Sequence, residues 1–328
     1  MSRRSAGVAV LVGALALGSA AGAAVTTIDR PATVGETADR IPAKGPIVGG
    51  CSVFPADNPW NQDISQAQVV PNSGTIIATI QGNGGTRLHP DFGENPGYGI
   101  PFVVVPGDQA LVPITYTAYG DESDPGPFPI PADAPVEGGN ASTGDRHVLV
   151  VRADTCDLFE LYRAFRSTNG WRADSGARFD LRSNALRPLG WTSADAAGLP
   201  ILPGLVRYEE VAAGEIKHAI RVTFSETRRG YVLPATHFAS DNDSANLPPM
   251  GARLRLKASF DTSQLTGQAR VIAVAMQRYG LIVADNGSNW FFQGAPNPGW
   301  NDDDLGQLKA ISGSNFEVVD TGPVHAGA

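Results

Sequence analysis

A mainly β fold, a β-sandwich or jelly-roll-like domain with a few short helices and a small α/β element at the carboxyl end, is what this sequence predicts. Most apolar runs are short, β-branched and bounded by Gly, Pro, Asn or Asp, which is the pattern of strands. Gly (38) and Pro (25) are abundant in 328 residues while charged residues make up only 18%, the reverse of a coiled coil or helical bundle. Helical periodicity is scarce. In chain order, strands are expected at 100–105, 111–119, 147–152, 158–165, 216–224, 253–258, 281–284, 290–292 and 316–319. A helix is expected over 269–279, where Val271, Ile272, Val274, Ala275 and Tyr279 recur at helical spacing and Gly280 supplies a C-terminal stop. Shorter helices are expected at 193–197 and 302–309, with Thr192 and Asn301 as N-caps and acids in their first turns. The Pro-rich connection 121–139 is expected to wrap the surface.

The organisation expected is a signal peptide over 1–24, an extended leader over 25–50, one β-rich domain over 51–323 and a tail over 324–328. Arg3 and Arg4 precede an apolar run from Ala6 to Leu17, and Ala21-Gly22-Ala23 offers small residues for cleavage. No later segment reaches the roughly 20 apolar residues of a membrane span. The localisation expected is therefore secreted or cell-envelope. Cys51 and Cys156, the two cysteines, suit a disulfide in that oxidising compartment. A hydrophobic content of 42% excludes a disordered chain, and a net charge of −8 argues against nucleic acid as a partner.

Four stretches stand out together: 51–60 (CSVFPADNPW), 145–151 (DRHVLVV), 190–206 (GWTSADAAGLPILPGLV) and 279–288 (YGLIVADNGS). They resemble a group of secreted bacterial proteins across nearly the whole mature chain. The resemblance brings neither an activity nor a catalytic residue, so function must be read from the side chains.

The hairpin 147–165 is the most informative segment. With Asp154 and Thr155 as its turn, His147 falls opposite Tyr162 and Leu149 opposite Glu160. Period-two alternation then places His147, Leu149, Val151, Leu158, Glu160 and Tyr162 on one face. In 216–224, alternation puts His218 on the apolar face with Ile216, Ile220, Val222 and Phe224. His218 is expected to join His147 and Tyr162, with a buried imidazole near a carboxylate titrating close to neutrality.

Glycoside hydrolysis needs two Brønsted groups about 5–10 Å apart across the scissile bond. Glu160 supplies one, and Asp121, Glu122, Asp124, Asp180 and Asp285 are carboxylates near loops that offer a partner. Elimination from a uronate instead needs a base such as His147 or Tyr162 and a cation to stabilise the enolate. Arg146 and Arg221 are candidate substrate clamps. Trp191 and Trp290, beside Gly and Asn, are candidate platforms for sugar rings.

Other chemistries lack their signatures. No G-x-S-x-G nucleophile elbow and no zinc helix is present. The acid-rich stretches 121–124 and 241–244 offer hard oxygens for calcium without the EF-hand spacing, so no resident cofactor or metal is expected. The function expected is cleavage of a polysaccharide or oligosaccharide, by a glycoside hydrolase ahead of a polysaccharide lyase. A non-catalytic carbohydrate-binding or envelope structural protein is the alternative, and the sequence leaves the oligomeric state open.

Overall fold

The computed structural model describes residues 45–326, so the expected signal peptide and most of the expected leader lie outside the described residues. The described chain is mostly strands in several mixed sheets, with a few short helices and no closed barrel. Ten strands build the two larger sheets: β1 (His89–Asp91), β2 (Phe102–Val105), β3 (Val148–Arg152), β4 (Asp157–Tyr162), β5 (Ser175–Asp180), β6 (Ile220–Phe224), β7 (Arg253–Leu256), β8 (Leu281–Asn286), β9 (Phe291–Gln293) and β10 (Phe316–Val319). The four-stranded sheet has the order β5-β4-β3-β2 and the six-stranded sheet the order β10-β7-β8-β6-β9-β1. Four helices accompany them, α1 (Ser73–Gly82), α2 (Tyr208–Ala212), α3 (Gly267–Arg278) and α4 (Asp302–Gly306).

The register expected for the central hairpin is observed. β3 and β4 pair antiparallel with Leu149 opposite Glu160 and Val148 opposite Leu161. One face, through Leu149, Val151, Leu158, Ala177 and Phe179, enters the main core together with Ile220, Val222, Leu254 and Val283 of the six-stranded sheet. The other face, through Val148, Val150, Phe159 and Leu161, is covered by Phe128, Ile130, Ala134 and Val136. The 121–139 connection therefore does more than wrap the surface. Its apolar residues close the second face of a sheet that would otherwise expose a row of Val and Leu, at about 25 cal/mol per Å² of buried apolar area.

In the six-stranded sheet, β6 and β8 run parallel and are joined through β7 and α3. Leu281–Ala284 are buried without alternation, as expected for a strand covered on both faces. Gly280 lies between α3 and β8 at φ +74°, where an added Cβ would come within 2.4 Å of the Leu254 carbonyl oxygen. The chain can turn from helix into strand there only with glycine. The capping expected for α4 is observed, with the Asn301 side chain accepting from the Asp304 N–H at 2.9 Å.

Cys51 and Cys156 form the expected disulfide, with Cα atoms 5.5 Å apart across 105 positions. It ties the amino-terminal hairpin (Ile47–Val48 with Cys51–Ser52) to the turn between β3 and β4. That hairpin carries folded structure into the expected leader. At the other end, His325 bridges to Tyr231 and stacks on its ring, so the described part of the expected tail packs on the fold, while 327–328 lie outside the described residues.

Several expected elements differ. The strand expected at 216–224 begins only at Ile220, and the run 158–165 ends at Tyr162 before a separate strand, Phe165–Ser167. Residues 193–197 form a loop rather than a helix, because the Ser193 hydroxyl bonds the carbonyls of Asp195 (2.9 Å) and Leu199 (2.6 Å) and competes with helical pairing. The helix α1 was not expected from its β-branched residues. Burial of Ile76, Ile77 and Ile80 overrides their local preference. Among the described residues no helix is long and apolar enough to cross a membrane.

Candidate functional site

Arg221 is the hub of the polar groups at the sheet. Its neighbours Ile220 and Val222 enter the core, so alternation along β6 turns Arg221 to the opposite face. A register shift after Val222 places Thr223 opposite Asp285 of β8, and such a bulge re-aims the side chains beside it. Asp285 Oδ2 lies 4.0 Å from Arg221 Nη2. Arg221 grips Asp195 from the 192–195 loop, with Nε donating to Oδ2 at 2.9 Å and Nη2 to Oδ1 at 2.5 Å. Both partners of that ion pair are buried.

Asp195 and Asp285 both face the cavity wall and share the Arg221 guanidinium, 2.5 Å and 4.0 Å from its Nη2. Burial, followed by the charge of Asp195, pushes the Asp285 carboxyl well above the usual range, and Arg221 only partly opposes this. Two neighbouring buried carboxyl groups do not both ionise cheaply. The shift favours the protonated form of Asp285, whose side chain is 25% exposed.

That exposed carboxyl opens into a cavity of about 210 Å³ whose wall includes Tyr119, Tyr162, Ser175, Ser193 and His237. His237 Nδ1 donates to the Ala196 carbonyl at 2.7 Å. In the neutral ring this leaves the lone pair on Nε2, which lies 4.0 Å from Glu122 Oε2. Glu122 in turn accepts from the Thr192 N–H at 2.9 Å, linking the short turn Gly120–Glu122 to the 192–195 loop. The cavity thus brings a carboxyl with a raised pKa and an imidazole to one wall, residue types that serve acid–base catalysis.

His147 lies behind this wall, buried, with Nδ1 at 2.7 Å from Glu137 Oε2 and Nε2 at 3.0 Å from the Ala194 carbonyl. Burial alone would lower its pKa. The adjacent Glu137 carboxylate outweighs burial and lifts it to about 9. The expectation of titration near neutrality is corrected, because a second full charge at hydrogen-bonding distance favours the imidazolium more than burial disfavours it. Tyr162 lines the cavity with its ring centroid 5.7 Å from that of His147.

The other expected site residues fall elsewhere. Glu160 is fully buried, its carboxylate accepting from the N–H groups of Ile201 (2.9 Å) and Leu202 (2.9 Å). Burial pushes it up to about 7 against those two bonds. It holds a turn, and it does not line the cavity. His218 does not join His147: it precedes β6, donates from Nδ1 to the Ala219 carbonyl at 2.7 Å, and meets Glu210 at 3.1 Å. Arg146 is buried and spends its guanidinium on the carbonyls of Asn140, Ser142 and Ala164. Arg221 is in the site but bound to Asp195, so it acts on the acids and leaves no free clamp. Trp290 is completely buried against Phe224 and Phe316, which corrects its reading as a sugar platform. Trp191 is half-buried beside the cavity loop, with the Arg187 guanidinium 5.7 Å from its ring centroid.

Of the acids considered for calcium, Asp124 pairs with Arg187 and accepts from the Arg178 N–H at 2.8 Å. Asn242 bonds Glu226 at 2.5 Å. Among the described residues no three His, Cys, Asp or Glu side chains gather as metal ligands would.

Sequence reasoning named Asp285 only as one loop carboxylate among several, and it missed Asp195, Glu137 and His237 as site residues. The signal for Asp195 was masked by its expected place in a helix. A Thr-Ser-x-Asp stretch equally favours side-chain-to-backbone bonding in a loop. Comparisons of the chain with protein-family models, with curated proteins and with solved structures find no match.

Proposed function

We propose that the protein is an exported glycan hydrolase, with Asp285 as the acid and His237 as the base that activates water. The observation that carries this reading is Asp285: a carboxyl whose pKa burial and Asp195 raise, opening into a cavity that also holds an imidazole. Asp195 and Asp285 share one Arg221 nitrogen, at 2.5 and 4.0 Å, rather than standing on opposite sides of a scissile bond as the two carboxylates of most glycosidases do. They act as one proton-holding unit, and the opposite function falls to His237. Tyr119 and Tyr162 offer aromatic surface to sugar rings. The core shared by the four- and six-stranded sheets supports a sandwich-like scaffold, and the disulfide supports export.

Hydrolysis is favoured over elimination by the charge of the site. Its acids are Asp195, Asp285 and Glu122, while the nearby guanidiniums of Arg221 and Arg187 are bound to Asp195 and Asp124. A uronate carboxylate would meet no available cation. The full pairing of Asp195 with Arg221 favours a second reading, a glycan-binding protein without turnover.

The test is incubation of the purified protein with neutral and uronic-acid polysaccharides, reading new reducing ends and unsaturated products. Reducing ends alone, lost by about 100-fold or more in folded Asp285→Asn and His237→Ala variants, support hydrolysis by this site. Wild-type rates in both variants overturn the assignment. Retention on a glycan without cleavage moves the reading to a binding protein.

A further inference from the structure

A second cavity, of about 330 Å³, lies between β1 and α4 and is lined by His89, Asp91, Asn95, Tyr98, Asp302 and Lys309. The sheet relates it to the first. Thr223 pairs with Phe291, and Phe291 pairs with His89. Continuing that register sets Arg221 across from Gln293, which pairs with Asp91. Residues directly opposite in a sheet share a face, so Arg221, Gln293 and Asp91 form one row. Two strand spacings, about 10 Å, separate its ends. The row is polar throughout. Glu137 and Arg221 are both near enough to Asp91 to act on its charge, and the Oε1 atom of buried Gln293 has no hydrogen-bond partner.

The second cavity offers unused polar groups. His89 stacks on Phe291 with centroids 4.0 Å apart. Among the described residues neither the His89 ring nor the Asp91 carboxyl has a hydrogen-bond partner, although both are half-buried. Burial shifts both toward their neutral forms, lowering the pKa of His89 and raising that of Asp91. The cavity's other charges, Asp302 and Lys309, oppose each other in sign. A strongly charged ligand of either sign would therefore meet a like charge. A neutral polyhydroxylated ligand would find carboxyl acceptors, ammonium and phenol donors, and the flat ring of Tyr98, which is 60% exposed.

We infer that this cavity is a second sugar-binding site, taking further units of the same neutral glycan chain that enters the Asp285 cavity. The inference rests on the proposed glycan reading and adds to it a substrate class, a neutral chain long enough to span both cavities.

The experiment titrates malto-, cello-, xylo- and chito-oligosaccharides, from disaccharide to hexasaccharide, into the wild-type protein and into Asp91→Asn and Tyr98→Ala. Affinity is read by calorimetry and cleavage in parallel. Expected is a gain of roughly tenfold or more between disaccharide and hexasaccharide in one series, from simultaneous occupancy of linked sites. That gain is lost in both variants while disaccharide affinity is unchanged. Tyr98→Ala, at an exposed position, keeps the test valid if Asp91→Asn folds poorly. Cleavage or binding without a length-dependent gain, or a gain that survives in both variants, overturns the second site and leaves the first standing. Neither binding nor cleavage in any series overturns both.

Discussion

His147 donates from Nε2 to the carbonyl oxygen of Ala194 at 3.0 Å, one residue before the acid that Arg221 grips. A carbonyl can only accept, and the other ring nitrogen meets a carboxylate, so the geometry uses both protons of an imidazolium. The 192–195 loop is therefore fastened by the charged side chain of the residue that leads into β3. The folded pKa of about 9 lies above the ordinary 6.5. The associated stability is fully present below about pH 6.5 and is lost as pH rises through 9. His147→Ala is expected to cost about 3 kcal/mol near neutral pH by leaving Glu137 half-buried without its partner, and to flatten that alkaline dependence. Urea denaturation across the pH range measures both.

Glu160 responds to pH in a lower window. Its folded pKa of about 7 also lies above its ordinary 4.5, so its contribution is greatest below 4.5 and is lost as pH rises through 7. Glu160→Gln is expected to remove that slope and leave turnover at the Asp285 cavity unchanged. Glu160→Ala strands the N–H groups of Ile201 and Leu202, at roughly 1–3 kcal/mol for each. A loss of activity in folded Glu160→Gln at unchanged stability would return this carboxyl to the catalytic site.

Glu210 governs the acid limb. Burial opposes its charge, but Arg207 and His218 prevail and hold it down to about 2. Its stabilisation is present above the ordinary 4.5 and lost as pH falls through 2. Glu210→Gln is expected to destabilise the protein by about 3 kcal/mol near pH 6, leaving buried Arg207 without its ion-pair partner, and to flatten the loss on acidification. Thermal melts from about pH 3 to 6 check this.

The Cys51–Cys156 bridge closes a loop of 105 positions. Replacing both cysteines with Ala is expected to lower unfolding stability by roughly 4 kcal/mol in the chain-entropy model. The far cavity residues should be untouched, so binding of any glycan found should persist at temperatures where the variant stays folded. Denaturant midpoints and binding on the same preparation decide it.

Much of the local structure was legible in the sequence. The 147–162 hairpin, its register and its two faces follow from two polar turn residues between alternating apolar runs, a signal contained within a few residues. Gly280 and Asn301 announced helix boundaries for the same reason. Where a side chain had a choice of partners, local reading failed. Ser193 turned an expected helix into a loop, and three isoleucines packed into helix α1 despite their strand preference. The surroundings of Glu160 and Trp290 were equally out of reach, because alternation tells which way a side chain points but not what covers it.

By itself the sequence determined a turn-rich, mainly β chain, the pairing of its two cysteines, and the inward direction of His147, Glu160 and Tyr162. Only the tertiary structure decided which polar groups meet. Glu122, Glu137, His147, Asp195, Arg221, His237 and Asp285 come from segments far apart in the chain. They are gathered by the β6–β8 crossover, the bulge after Val222 and the loop pinned by His147. The raised pKa of Asp285 arises because those contacts bring it beside Asp195 in a largely buried setting, and no spacing along the chain encodes that proximity.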